Sequence, residues 1–135
     1  MIKIFSGLKG SGKTKHLIEK VNSAAEVSHG NVICIEKGNK LIHEIKYNAR
    51  LVDTDIYHIT KADSLYGFVS GILAGNYDIT DIFIDSALKI CENDVSEFEK
   101  FILHLIPILE KSNANLTVTA SIETEKLPES LKAFL

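Results

Sequence analysis

The sequence predicts an α/β fold: a three-layer α/β/α sandwich around a mostly parallel five-stranded sheet, in a single domain spanning residues 1–135. Three observations predict it. Short β-branched runs alternate with stretches of helical period, the pattern of right-handed βαβ units with helices on both faces of a sheet. The run Asn31–Glu36 (NVICIE) is apolar at nearly every position, the mark of a strand covered on both sides. With 45% hydrophobic and 24% charged residues, and only 2 Pro and 8 Gly, the composition suits a domain that builds its own core without disulfides or structural metal.

The elements follow in order. Ile2 to Ser6 is a short strand, Gly7 to Thr14 a glycine-rich turn, and the chain then continues as a helix to about His29. Gly30-Asn31 punctuates before the NVICIE strand. Asn39 to Lys46 reads as a short helix and Ile56 to Ile59 (IYHI) as the next strand. Thr60-Lys61-Ala62-Asp63 resembles a capping box ahead of the apolar helix Leu65 to Leu73. Ile79 to Ile84 is a strand. Asp94 to Lys111 carries a wide apolar face, with Pro107 expected to kink it, and its acidic start (Glu92, Asp94, Glu97, Glu99) suits a solvated helix N-terminus. Leu116 to Ser121 alternates as the last strand, and Pro128 opens a terminal helical turn before Leu131 and Phe134.

Fifteen basic against eighteen acidic side chains leave a net charge of −3, so no global field draws the chain to nucleic acid or anionic lipid. All the cations but Arg50 are lysines, which leaves one guanidinium for bidentate phosphate clamping and weakens a nucleic-acid reading further. Cys34 and Cys91 lack metal or redox spacing and read as buried free thiols. The five histidines fall at no metal-ligand spacing and receive no role. Met1 to Phe5 runs into the glycine turn without the apolar stretch of a signal peptide, and no run nears the ~18 apolar residues of a membrane span, so the expected compartment is the cytoplasm.

The chemistry concentrates in Gly7-Leu8-Lys9-Gly10-Ser11-Gly12-Lys13-Thr14, which fits G-x-x-x-x-G-K-[ST] between a predicted strand and a predicted helix. Glycines allow successive backbone N–H groups to converge on an anion, and the helix N-terminus adds partial positive charge. Gly7, Lys9, Gly10, Ser11, Gly12, Lys13 and Thr14 are therefore the expected binding residues for ATP or a related nucleoside triphosphate. Lys13 reaches the outer phosphates, and the Thr14 hydroxyl is expected on Mg²⁺. The second metal residue is Asp85, which ends the apolar strand Ile82-Phe83-Ile84 as a Walker B acid does.

On these residues the chain resembles the P-loop NTPases with a RecA-like core, closely over Met1 to His29 and beyond that by the order of elements. The resemblance implies a P-loop NTPase fold. It also places a catalytic glutamate at Glu36 and a polar sensor position at Thr119 and Ser121. Asp85 is not followed by a second acid, so the Asp-Glu pattern of AAA and helicase-type ATPases is not met. Thr60-Lys61-Ala62-Asp63 fits the guanine signature [NT]-K-x-D but precedes Asp85, the reverse of its order in GTPases, so the capping reading stands. A small nucleoside or nucleotide kinase would need an arginine-rich lid, which one arginine cannot supply. The expectation is a slow, Mg²⁺-dependent ATPase with Lys13 and Glu36 as catalytic residues, assisted by a protein partner or a second copy that contributes a cation. The competing expectation is a nucleotide-dependent switch module without significant hydrolysis.

Overall fold

The computed structural model describes residues 1–135. Five strands, β1 (Ile2–Gly7), β2 (Asn31–Glu36), β3 (Ala49–Asp53), β4 (Ile79–Ile84) and β5 (Asn115–Ser121), form one sheet in the order β1-β5-β4-β2-β3. All four pairings are parallel, so the sheet is wholly and not merely mostly parallel. The helices are α1 (Lys13–Val27), α2 (Ala62–Gly75), α3 (Ala87–Ile90) and α4 (Val95–Ser112), and two 3₁₀ turns, Thr124–Lys126 and Glu129–Phe134, close the chain.

The faces divide by connection. The β1-to-β2 crossover runs through α1, which buries Leu17 and Val21 against Val32, Cys34 and Phe83 on one face. The crossovers that lead back, through α2 and through α3 and α4, bury Leu65, Val69, Phe98, Ile102 and Leu105 on the other. Right-handed crossovers that travel in opposite directions along a sheet must lie on opposite faces, so the strand order itself puts helices on both sides. Burying one such Phe or Leu side chain stabilises by roughly 1.5–3 kcal/mol, and the larger cluster on the α2–α4 face holds most of the core.

Several boundaries agree with the sequence reading, and β2 and β4 match it residue for residue. Others need correction. Asn39 to Lys46 is not a helix but a series of turns, held by bonds such as Glu44 N–H to the Leu41 carbonyl (2.9 Å). Ile56 to Ile59 is not a strand. Ile56 and Tyr57 are exposed and His58 has φ 55°, a left-handed conformation that an extended ladder does not admit. The strand lies earlier, at Ala49–Asp53, where Ala49 and Val52 are buried and the backbone pairs with β2 along its length.

The start of α2 is capped one residue further along than expected. The Ser64 hydroxyl accepts from the Lys61 N–H (3.1 Å), while Asp63 accepts only from its neighbour Ser64. At α4, Asp94 accepts from the Glu97 N–H (3.1 Å) and Asn113 ends the helix in the left-handed conformation. The helix runs unbroken through Pro107, and Pro107 and Leu103 both lie on its solvent-exposed side.

Candidate functional site

Everything chemical collects at the carboxyl ends of the strands, the side on which open parallel sheets bind ligands. At the end of β1, Gly7 has φ 144°, and an added Cβ would lie 2.8 Å from Ser11 Oγ, so the loop folds tightly only over a glycine. Gly10 and Gly12 both take φ 86°. The loop ends in α1, whose N-cap Gly12 offers no side chain, and the first turn holds Lys13 and Lys15 and no acid. Helix starts ordinarily carry a capping oxygen and acidic side chains. Here lysines crowd the positive end of the dipole, an arrangement unfavourable for the helix alone and matched to an anion. The Phe5 and His16 rings stack at 4.4 Å, fixing the start of α1 against β1.

Lys13 lies back over the loop, donating to the Leu8 carbonyl (2.9 Å). Partial burial pulls its pKa below the usual lysine value, with the Asp85 carboxylate acting in the opposite sense.

Asp85 follows β4 and is nine-tenths buried. Its Oδ1 accepts from the Thr14 hydroxyl (3.0 Å), 71 residues away in the chain, and from the Thr119 hydroxyl (2.9 Å) of β5. Thr119 Oγ1 accepts in turn from the Ser86 N–H (2.7 Å), which holds Ser86 in its left-handed turn at φ 56°. The strand β5 lies between β1 and β4, so a side chain at its end is the natural bridge between the glycine loop and Asp85. Thr119 serves there as a buried support, and Ser121 faces the cavity.

That cavity has a volume of about 740 Å³, within the range of small-molecule sites. Lys9, Lys13, Lys15, Lys40 and Lys89 line it, against the carboxylates of Glu44 and Asp85, with Leu41 as the single apolar residue. Five lysines against two carboxylates leave this concave wall electropositive. Arg50 is on the edge strand β3 and outside the cavity. Lys61 and Asp63 line a separate depression of about 300 Å³ on the side of α4, so Thr60 to Asp63 is not part of the glycine-loop site. No group of three or more His, Cys, Asp or Glu side chains is close enough together to hold a metal ion.

Glu36, which the sequence nominates as general base, ends β2 but does not line the cavity. It is 2% exposed, and its two oxygens accept from the Lys40 N–H (3.1 Å) and the Leu41 N–H (3.0 Å). Burial raises its pKa above the ordinary carboxylate value and the Asp85 and Asp53 charges add to the rise, while the two backbone N–H groups oppose it. Burial, and after it the Asp85 and Glu36 carboxylates, push the neighbouring Cys34 thiol up to about 12, so it is an inert core thiol.

A pH dependence follows. A carboxyl raised on folding binds its proton more tightly in the folded state, so its contribution to stability is full below the unfolded value near about 4.3 and is lost as pH rises through the folded value. The stability of the parent relative to Glu36→Gln should therefore be greatest in acid and shrink toward neutrality. Paired thermal unfolding curves across that range check it, and a difference independent of pH refutes it.

Lys40, Lys89 and Glu44 did not stand out in the sequence. One signal was there: the acid that ends β2 and the acid that follows β4 each have a lysine four residues later, Glu36 with Lys40 and Asp85 with Lys89, whereas Asp53 at the end of β3 does not. No family model matches the chain, and no curated protein matches its sequence. No helix is long and apolar enough to cross a membrane.

Proposed function

We propose that this protein is a P-loop NTPase of RecA-like type that binds a nucleoside triphosphate, ATP by preference, with Mg²⁺ in the lysine-lined cavity and hydrolyses it slowly. The observation that carries the reading is the start of α1. An uncapped helix N-terminus with Lys13 and Lys15 in its first turn and glycines at φ 86° before it is a poor helix start and a good phosphate cradle. The donor set also suits Mg²⁺, a hard cation that takes oxygen ligands and keeps several waters. Thr14 Oγ1 and Asp85 Oδ1, 3.0 Å apart at the cavity wall, are such ligands. Bound there, the ion would neutralise phosphate charge.

In this reading the chain's own groups bind and orient. The loop N–H groups and Lys13 hold the phosphates, Thr14 and Asp85 fix the metal side, and Thr119 keeps Asp85 aimed. Glu36 is committed to two backbone N–H groups, and no arginine lines the cavity. Turnover by the isolated chain should accordingly be near the ~10⁻³ s⁻¹ scale of phosphate-loop proteins that lack an arginine finger. This commitment of Glu36 also favours the switch reading, in which occupancy matters more than hydrolysis. A partner or second copy that adds a cation would convert one behaviour into the other.

Calorimetric titration with ATP–Mg²⁺, ADP–Mg²⁺ and adenosine, alongside steady-state phosphate release, tests the proposal. Both nucleotides should bind, adenosine should bind far more weakly, and phosphate release should be slow. Adenosine binding as tight as ATP, or no binding of ATP, would overturn it.

A further inference from the structure

Resting on the nucleotide reading above, we propose that Lys40 and Lys89 are the specificity-determining residues for the terminal phosphate, giving this chain a built-in preference for nucleoside triphosphates over diphosphates. Three facts carry the inference. First, these are the two cavity lysines that come from outside the glycine loop and α1: Lys40 from the turns after β2 and Lys89 from α3, just beyond Asp85. The loop and the start of α1 cradle the phosphates nearest to them. A further phosphate extending from the loop into the cavity would have Lys40 and Lys89 among the cations that line it.

Second, both ammonium groups are uncommitted. Neither takes part in an ion pair, whereas the neighbouring Lys37 is bound to Asp55 at 2.7 Å and lies outside the cavity. The one carboxylate on their side besides Asp85 is Glu44, which lines the same cavity, is exposed, and pairs with no lysine.

Third, the backbones that carry these lysines are pinned although the side chains are exposed. Glu36 accepts from the N–H of Lys40 itself and from that of Leu41, whose side chain is buried. Around Lys89, the residues Ala87, Leu88, Ile90 and Cys91 are all buried, so the helix can present only Lys89 outward. The Lys89 N–H is bound to the Ser86 carbonyl (3.0 Å), and Ser86 is itself held by Thr119. Little ordering of the main chain then remains when a phosphate is taken up, and in such a case a lysine contributes to discrimination instead of only to the local field. Glu36 thus fixes the backbone from which Lys40 extends.

The test is the ratio of ATP–Mg²⁺ to ADP–Mg²⁺ affinity, measured by calorimetry on the full chain. The parent should favour ATP. Lys40→Ala and Lys89→Ala should each weaken ATP about tenfold, the effect of removing one charge-assisted hydrogen bond, and leave ADP within about twofold. Lys40→Gln and Lys89→Gln, which keep a polar side chain without the charge, should match them, and Lys40→Arg should restore most of the ratio. Lys37→Ala should behave as the parent, and thermal unfolding of every variant separates lost binding from lost fold. If the Lys40 and Lys89 variants weaken ATP and ADP equally, or weaken neither while Lys13→Ala weakens both, the inference fails and the nucleotide reading survives. If the parent binds neither nucleotide, or Lys13→Ala binds both as the parent does, the nucleotide reading itself fails.

Discussion

Lys13→Ala should weaken ATP–Mg²⁺ binding by about a hundredfold or more while leaving the unfolding midpoint nearly unchanged. In this structure the Lys13 ammonium contacts only its own loop, the Leu8 carbonyl at 2.9 Å and the Ser11 hydroxyl at 3.4 Å. Both acceptors are on an exposed turn and can bond water instead, so the cost to stability should fall within the roughly 0.5 kcal/mol typical of surface substitutions. Binding is another matter, because more than one charge-assisted hydrogen bond to phosphate would go, and each is worth about 1.5–3 kcal/mol. Lys13→Arg should not rescue, since a planar fork does not fit where a compact ammonium turns back over the glycines. Calorimetry beside thermal unfolding decides the matter, and unchanged affinity at unchanged stability would leave the glycine loop a structural turn.

Asp85→Asn should abolish most of the gain in ATP affinity that Mg²⁺ confers on the parent, a loss of about tenfold or more in apparent metal affinity. The substitution spares the scaffold. An amide oxygen in the Oδ1 position still accepts from Thr14 and Thr119, and the amide nitrogen replaces Oδ2, whose one partner, the Ser86 hydroxyl at 3.4 Å, can accept as well as donate. What disappears is the negative charge. Lys13 loses the carboxylate that opposes the effect of burial, so its pKa should fall further. Identical Mg²⁺ titrations of ATP binding for variant and parent would mark Asp85 as a purely structural residue.

The parts of the fold legible in the sequence are those whose signal is local. β2 is a near-continuous apolar run and β4 ends in one, Ile82-Phe83-Ile84, because both faces of a central strand are covered, and their limits were readable to the residue. β3 is an edge strand with Arg50 exposed, so its pattern ARLVD is weaker than that of the nearby IYHI, in which Ile56 and Tyr57 turn out to face solvent and only Ile59 is buried. The site divides in the same way. The glycine loop and Asp85 announce themselves by residue type and spacing, and the structure brings Thr14 to Asp85. The position of Glu36 at a strand end was equally legible. Its partners were not, because the turns that deliver the Lys40 and Leu41 N–H groups to it have no period. Lys40 and Lys89 became cavity residues only through the strand order, which seats the segments after β2 and β4 around one opening, and no window of sequence encodes that order.

The pairing of β1 with β5, in which Ile2 lies opposite Leu116 and Gly7 opposite Ser121, sets a timetable for the nascent protein. The glycine loop is synthesised more than a hundred residues before β5, yet its strand has no other neighbour in the sheet, and the Thr119 support for Asp85 rides on that later segment. Closing a contact across more than a hundred residues is slow and comes after local helices have formed. The cradle at Lys13 therefore stays unassembled until β5 has been made, and its completion coincides with the docking of β5 between β1 and β4.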